Sequence, residues 1–531
     1  MRILQKLSQL TSLGLRDPNR IYWQLNTPQL YEEAVQRHEG YVAHLGPLVV
    51  RTGNQTSLSY DDRFIVAEPP TQADISWSEI NRPFDSRRFD ELLARVASYF
   101  RAKDVFVQDV FAHVDQTDKL ALRVVTETAW HNLFTRGAYL PADLTELDEF
   151  RPDYTVLHAP GFRAVPRRDG TNSDVFVIIH LAKQVILIGG TSYAGEIQKA
   201  IFSVMNYLLP KRNILSLEGS ANKGSRNDVA LFLGMDGSGK SSLATDPDRH
   251  LIADGEIAWS HEGIVSIGRG GYAHVLGLSP DKQPAIYETT RRFGTILENV
   301  AINVSDRRLD LENDVFTENT RAAYPLTHID GYVREAIGAH PDHIILLAKD
   351  AFGVLPPLAR LSAAQAHYFF LSGYSSQLMP TRHKTLEPMA VFSACYGAPF
   401  MPLHPGQYAE LFLERVRRSS AQLWLVNTGW IGGAYDRGRR ITLRDSRSII
   451  NAILSDQLKD SDTVTEPFFK LDIPIAVPGM TEDQLVPAKA WPDTAAYEAQ
   501  ARELVRDFDQ NLAQYRDDVD PAVLTSQPDL G

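Results

Sequence analysis

The sequence predicts an α/β protein of two domains, and three observations carry that prediction. Short apolar, β-branched runs recur at 175–179, 185–188, 229–233, 344–347 and 423–426. A long segment of helical period closes the chain. A glycine-rich loop joins one of the apolar runs to a helix-compatible run.

The apolar runs are short and alternate little, which fits strands buried on both faces. The segment 494–515 sets Tyr497, Ala501, Leu504, Phe508, Leu512 and Tyr515 at three- and four-residue steps. Asp493 or Thr494 is placed to cap its start, so an amphipathic helix packing on the core is expected. Leu4, Leu7, Leu10 and Leu13 stand at helical spacing, with no continuous apolar core and no small-residue cleavage site after them. This predicts a surface helix, not a signal peptide. The string LLPKRN at 208–213 interrupts a helical run. It predicts a boundary, with an N-terminal domain of residues 1–212 and a C-terminal domain of residues 213–531.

Composition narrows the class. The chain has 531 residues, 44% of them hydrophobic and 23% charged, with a formal net charge of −12. That balance is ordinary for a globular protein and offers no global attraction to nucleic acid or an anionic membrane. No run approaches the roughly 18 apolar residues that span a bilayer. The single cysteine, Cys395, excludes an intramolecular disulfide and any multi-cysteine metal site. A cytoplasmic protein with no nucleic-acid or membrane partner is expected.

Residues 228–242 read DVALFLGMDGSGKSS. The core, Gly234-Met-Asp-Gly237-Ser238-Gly239-Lys240-Ser241, satisfies the phosphate-loop pattern G-x-x-x-x-G-K-[ST]. Its glycines let backbone N–H groups turn inward on phosphate oxygens. Lys240 reaches the β- and γ-phosphates, the Ser241 hydroxyl is placed to ligate Mg²⁺, and Ser242 follows at the start of a helix whose positive end faces the anion. The bland alternative is a glycine-rich turn with a solvated lysine, but the flanking strand-like and helix-like runs favour a nucleotide site. Downstream, LIADGE at 251–256 reads as a strand ending in Asp254, an acid for the metal.

With these motifs in place, the chain resembles the ATP-dependent phosphoenolpyruvate carboxykinases along nearly its whole length. The strings are IGGTSYAGE (188–196), FSVMNYLLP (202–210), the loop at 234–242, ILENV (296–300), TENTRAAYP (317–325), DAFGVLPP (350–357), FSACYGAPF (392–400), LHPGQYAE (403–410) and LVNTGW (425–430). The resemblance implies an N-terminal α/β domain, a C-terminal phosphate-loop ATP-binding domain, and an active site in the cleft. It implies a monomer acting on a small anionic molecule, with ATP and Mg²⁺ as cofactors. It also implies that Lys240, Ser241 and Asp254 clamp the nucleotide and its Mg²⁺, and that Arg440, Ile441 and Ser446 border the base. Arg321 matches the arginine on the transferring phosphoryl group, with a structural salt bridge as its alternative. Tyr193, Gly195 and Asn319 match substrate contacts, and Lys199 matches a ligand of a second metal.

Four departures gather on the chemistry. Leu58 stands where the family carries an arginine for the substrate carboxylate, and Arg63 is the nearby candidate to compensate. Glu218 replaces a histidine metal ligand. Asp254-Gly255 replaces paired aspartates, so the ligand set expected for Mn²⁺ is incomplete, and Glu218 favours a hard ion such as Mg²⁺. Asp236 replaces a loop serine. Asp236 or Glu218 is either a general base toward an acceptor hydroxyl or an acid that entered once the older chemistry relaxed. The lid segment LMPTRHKTLEP (378–388) carries Arg382, His383 and Lys384, which read as a solvated basic loop or as a surface for an anionic acceptor. GRGG at 268–271 is too short for a dinucleotide fingerprint.

Three functions follow. The first is ATP–Mg²⁺ phosphoryl transfer to a different anionic acceptor, a small molecule rather than a protein. The second is phosphoenolpyruvate carboxykinase activity itself. The third is an ATP-binding regulatory protein with little catalysis. The altered acceptor side favours the first over the second.

Overall fold

A computed structural model describes residues 10–112, 119–143, 145–380, 386–516, 519 and 521–530. The fold is mixed α/β, built on three larger sheets. The chain forms two compact units. One contains the described residues up to Leu208, together with Ser266–Tyr332 and Pro399–Leu403; the other contains Leu209–Val265, Val333–Ala398 and the described residues from His404 on.

The first unit holds a nine-stranded mixed sheet. Its central order runs Leu120–Thr126, Tyr154–Ala159, Val185–Gly189, Phe176–His180, Arg63–Ala67. The predicted runs at 175–179 and 185–188 are the Phe176–His180 and Val185–Gly189 strands, an antiparallel pair with every residue buried. Burial on both faces explains their lack of alternation. Leu10 is buried in this unit's core and Leu13 packs against it, while residues 1–9 of that predicted helix lie outside the described residues. A second sheet, of five strands, pairs Leu48–Val50 with Ile296–Glu298, and Ile296–Glu298 with Arg321–Pro325. The helix Gly195–Leu208 is buried along almost its whole length, which is why its sequence shows no polar face.

The second unit is organised on a ten-stranded sheet. Its central order is His250–Trp259, Leu215–Lys223, Val229–Gly234, His343–Ala348, Gln422–Asn427. The runs predicted at 229–233, 344–347 and 423–426 are three adjacent parallel strands of this sheet. The closing helix is Thr494–Ala513, and Asp493 caps it by accepting the Ala495 and Ala496 amides. Its buried stripe is Tyr497, Ala501, Leu504, Val505, Phe508 and Leu512. Phe508 meets the rings of Tyr368, Phe369, Tyr374, Phe392 and Phe469. Burying one such side chain is worth about 1.5–3 kcal/mol, so the stripe fastens the helix far more strongly than helix propensity does. Among the described residues, no helix is long and apolar enough to cross a membrane.

Candidate active site

The Val229–Gly234 strand delivers the chain into the phosphate loop, and Lys240–Ala244 forms a helix directly after it. That helix has five residues, too few for its dipole to add much. The loop's own backbone and Lys240 carry the electrostatics instead. The Lys240 ammonium donates to the Gly234 carbonyl at 2.6 Å and lies 3.8 Å from the Asp236 carboxylate. Ser238 is buried with no partner for its hydroxyl, and its carbonyl accepts the Thr428 hydroxyl at 2.8 Å. A Cβ added at Gly237 would meet nothing within 4 Å, so that side of the loop is open. The Ser242 carbonyl faces the Arg447 guanidinium at 3.5 Å.

Among the residues predicted to clamp the nucleotide, Asp254 is where contacts converge. Its Oδ1 accepts the Ser241 hydroxyl at 2.8 Å and the Ser220 hydroxyl at 2.6 Å. Burial raises its carboxyl above the usual range, the two hydroxyls and Lys240 oppose that rise, and Asp236 adds to it. One carboxylate and the two hydroxyls beside it form a set of hard oxygen donors that suits Mg²⁺. Asp254 does not end a strand, contrary to the reading of LIADGE: His250–Trp259 continues five residues past it, paired with Leu215–Lys223. Cross-strand pairing extends the strand where the sequence turns polar. Gly255, directly after Asp254, has φ +124°.

Glu218 lies two residues before Ser220 on Leu215–Lys223 and opposite Glu256 on the neighbouring strand. Alternation along strands puts Glu218, Ser220, Asp254 and Glu256 on one face. Even so, among the described residues no three His, Cys, Asp or Glu side chains gather in a way that could hold a metal.

The residues predicted to border the base lie on a two-stranded ribbon and the helix that follows it. Trp430–Ile431 pairs with Arg439–Arg440, and the Arg440 guanidinium lies 5.2 Å from the Trp430 ring centroid. Ile441 is buried and donates its amide to the Gly429 carbonyl. Ser446 is buried in the first turns of Leu443–Leu454, a helix capped by Thr442. Two motifs interlock nearby. Asp350 accepts the amides of Phe352, Val354 and Leu355, and its own amide donates to Asn427 of LVNTGW. DAFGVLPP is thus a structural loop. Lys349, whose ammonium is disfavoured by burial and by Arg440, was not singled out in the sequence.

The predicted acceptor-side residues cluster in the first unit. Arg321 donates from Nε to Asn319 Oδ1 at 2.8 Å. Asn319 Nδ2 donates to the Thr56 carbonyl at 2.7 Å and to the Tyr193 hydroxyl at 3.4 Å. Gly195 opens the helix Gly195–Leu208, and a Cβ there would stand 2.7 Å from the Tyr193 ring, so only glycine fits. Lys199, on the same helix, sets its ammonium 5.2 Å from the Phe400 ring centroid. Two unpredicted residues complete the cluster: the Tyr272 hydroxyl donates to Glu298 Oε2 at 2.6 Å, with both groups buried. Glu298 stood inside ILENV, and Tyr272 directly follows GRGG, so position was the only signal for either.

Arg63 does not compensate for Leu58. Its Nη1 donates to Glu196 Oε2 at 2.8 Å and its Nη2 to the Ser203 hydroxyl at 3.3 Å, all buried. Glu196 also accepts the Ser59 amide at 2.6 Å. The segment carrying Leu58 is therefore pinned at Thr56 by Asn319 and at Ser59 by Glu196. Removing Arg63 from this pair would strand a buried carboxylate, at a cost of about 3–5 kcal/mol. In the segment predicted as a lid, Tyr374–Pro380 pairs with Leu386–Phe392, while Arg382, His383 and Lys384 lie outside the described residues.

Against known proteins, the family model for phosphoenolpyruvate carboxykinase matches residues 19–483. The phosphoenolpyruvate carboxykinase (ATP) of Geotalea uraniireducens is 48% identical over 511 residues, 96% of each chain. That of Geobacter metallireducens is likewise 48% identical over 511 residues. The phosphoenolpyruvate carboxykinase (ATP) of Thermus thermophilus is 44% identical over 526 residues, 98% of this chain and 99% of the relative.

Proposed function

This chain belongs to the ATP-dependent phosphoenolpyruvate carboxykinase family, and on that premise we propose that it converts oxaloacetate and ATP to phosphoenolpyruvate, ADP and carbon dioxide. The comparisons favour this reading over the transfer to a different acceptor expected from the sequence. Departure of carbon dioxide leaves its bonding electron pair on the substrate as an enolate, whose oxygen takes the γ-phosphoryl group. The observation that carries the nucleotide half is the convergence of Ser220 and Ser241 on Asp254 beside Lys240. Lys240 holds the triphosphate in exchange for its contacts with Gly234 and Asp236. Asp254 and Ser241 hold Mg²⁺, which draws charge from the phosphate oxygens when bound. Arg440, Ile441 and Ser446 border the base. Tyr193, Gly195, Asn319 and Arg321 form the acceptor side, with Arg321 bearing charge of the transferring group. We assign the acceptor side to the first unit, which holds Asn319 and Arg321 as well as Tyr193 and Gly195, and the ATP side to the second, with the 378–388 segment as its lid.

One observation favours a second reading, a different anionic acceptor on the same nucleotide site. Leu58 occupies a segment pinned at both ends, and the nearest arginine in sequence is consumed by Glu196. A methyl-tipped side chain offers a carboxylate nothing. Coupled assay of oxaloacetate plus ATP, with Mg²⁺ and then with Mn²⁺ added, separates the readings. Phosphoenolpyruvate formation at about 1–100 per second, the usual scale for phosphoryl transfer, and its loss in Lys240→Ala, is the expected result. Tight Mg²⁺–ATP binding without phosphoenolpyruvate formation would transfer the assignment to another acceptor, or to a regulatory role if no acceptor turns over.

A further inference from the structure

A depression of about 360 Å³ on the second unit is lined by His261, His340, Asp342, Arg415, Arg418 and Ser419. Its two imidazoles are fixed in the same tautomer by their neighbours. The indole N–H of buried Trp259 donates to His340 Nδ1 at 3.0 Å. An indole nitrogen only donates, so His340 accepts at Nδ1 and carries its proton on Nε2. The Arg415 guanidinium meets His261 Nδ1 at 3.2 Å. A guanidinium also only donates, so His261 likewise carries its proton on Nε2. Both rings therefore offer N–H donors from their outer edges.

The arginines add to this. Among the described residues the hydrogen-bond partners of Arg415 are His261 and the Asn213 carbonyl, both neutral, so no described carboxylate takes a hydrogen bond from it. Arg418 pairs with Glu414 at 2.8 Å, but both side chains are more than half exposed, and such a pair exchanges partners at little cost. The acid on the rim, Asp342, is turned to the Val229 amide at 2.8 Å.

We propose that this depression binds a compact, multiply charged oxyanion, of phosphate or polycarboxylate type. Two imidazole N–H donors and two guanidinium groups converge there, without any part of the phosphate loop. The proposal does not depend on the reaction assigned above.

The test uses full-length protein carrying Lys240→Ala, which removes the phosphate loop's lysine from the measurement. Inorganic phosphate and citrate are titrated separately by calorimetry, and crystals are soaked in tungstate to place the anion by its anomalous signal. Saturable binding of either anion is expected, with tungstate within hydrogen-bond distance of His261 and His340. His261→Ala and Arg418→Ala, both at exposed positions, each weaken binding about tenfold, the loss of one charge-assisted hydrogen bond. Arg415 is left intact because it also holds the Asn213 carbonyl. The stronger of the two anions identifies the class. No saturation by either anion, affinity unchanged in both His261→Ala and Arg418→Ala, or tungstate bound elsewhere would overturn the proposal.

Discussion

Lys240, to which we assign the triphosphate, has an acid as one of its neighbours in this structure. Asp236 lies 3.8 Å from its ammonium, with the carboxylate largely exposed to solvent. An arriving phosphate displaces that contact and meets a like charge. Asp236→Ser should therefore tighten Mg²⁺–ATP binding by about two- to fivefold, the range of an exposed charge pair at roughly 0.2–1 kcal/mol. The gain should shrink in high salt, and calorimetry at two ionic strengths checks both points. A second residue-scale prediction concerns Glu298. Burial lifts its carboxyl from the ordinary 4.5 to about 7, against the hydrogen bond from Tyr272. Between those values the unfolded chain has released the proton and the folded chain keeps it. Folded protein then binds more protons, and stability falls as pH rises from about 4.5 to about 7. At about 1.36 kcal/mol per unit over this window the loss is a little over 3 kcal/mol, to order of magnitude. Denaturant titrations across that window should show the decline flattening above about pH 7. In Glu298→Gln the decline should be reduced by that amount.

The strand pair Leu215–Lys223 and His250–Trp259 sets the chemistry at the scale of elements. Register places Ser220 opposite Asp254, and Gly219 opposite Gly255. The φ of +124° at Gly255 is a conformation that side chains with a Cβ rarely adopt. Restoring an aspartate there is thus not a simple reversion. Gly255→Asp should destabilise the protein by about 1–3 kcal/mol, the cost of a non-glycine residue in such a region. Urea unfolding measures it, and an unchanged midpoint would show that the backbone relaxes. The same pair shows why the end of the strand was misjudged from sequence. Gly255 and Glu256 break the apolar run, yet the ladder of hydrogen bonds to the partner strand continues to Trp259. Periodicity reports burial, while strand length here is decided by pairing.

For the whole molecule, the first unit is assembled from distant stretches of chain. Leu48–Val50 pairs in parallel with Ile296–Glu298, which pairs in turn with Arg321–Pro325. A fragment ending at residue 212 keeps the first of these strands and loses the other two. It also loses Glu298 and Arg321. Such a fragment should fail to unfold cooperatively when expressed alone, as circular dichroism melting will report. Residues 1–332 together should retain more of that cooperativity. Saturating Mg²⁺–ATP should stabilise the full chain by about 2.7 kcal/mol at a hundred times Kd. Hydrogen-exchange protection should be concentrated around the phosphate loop.

The sequence by itself determined the glycine-lysine loop motif, a set of strands buried on both faces, and the closing helix with its stripe from Tyr497 to Leu512. In each, the governing physics is local: glycine freedom, a lysine at fixed spacing, and a period of apolar residues. Only the tertiary structure decided who meets whom. Ser220 reaches Asp254 across 34 residues, and Arg63 is claimed by Glu196 across 133. Tyr272 finds Glu298 inside a buried cluster. Such partnerships depend on strand register and on the cost of leaving a buried charge unpaired, and neither quantity is written in the neighbouring residues of the chain.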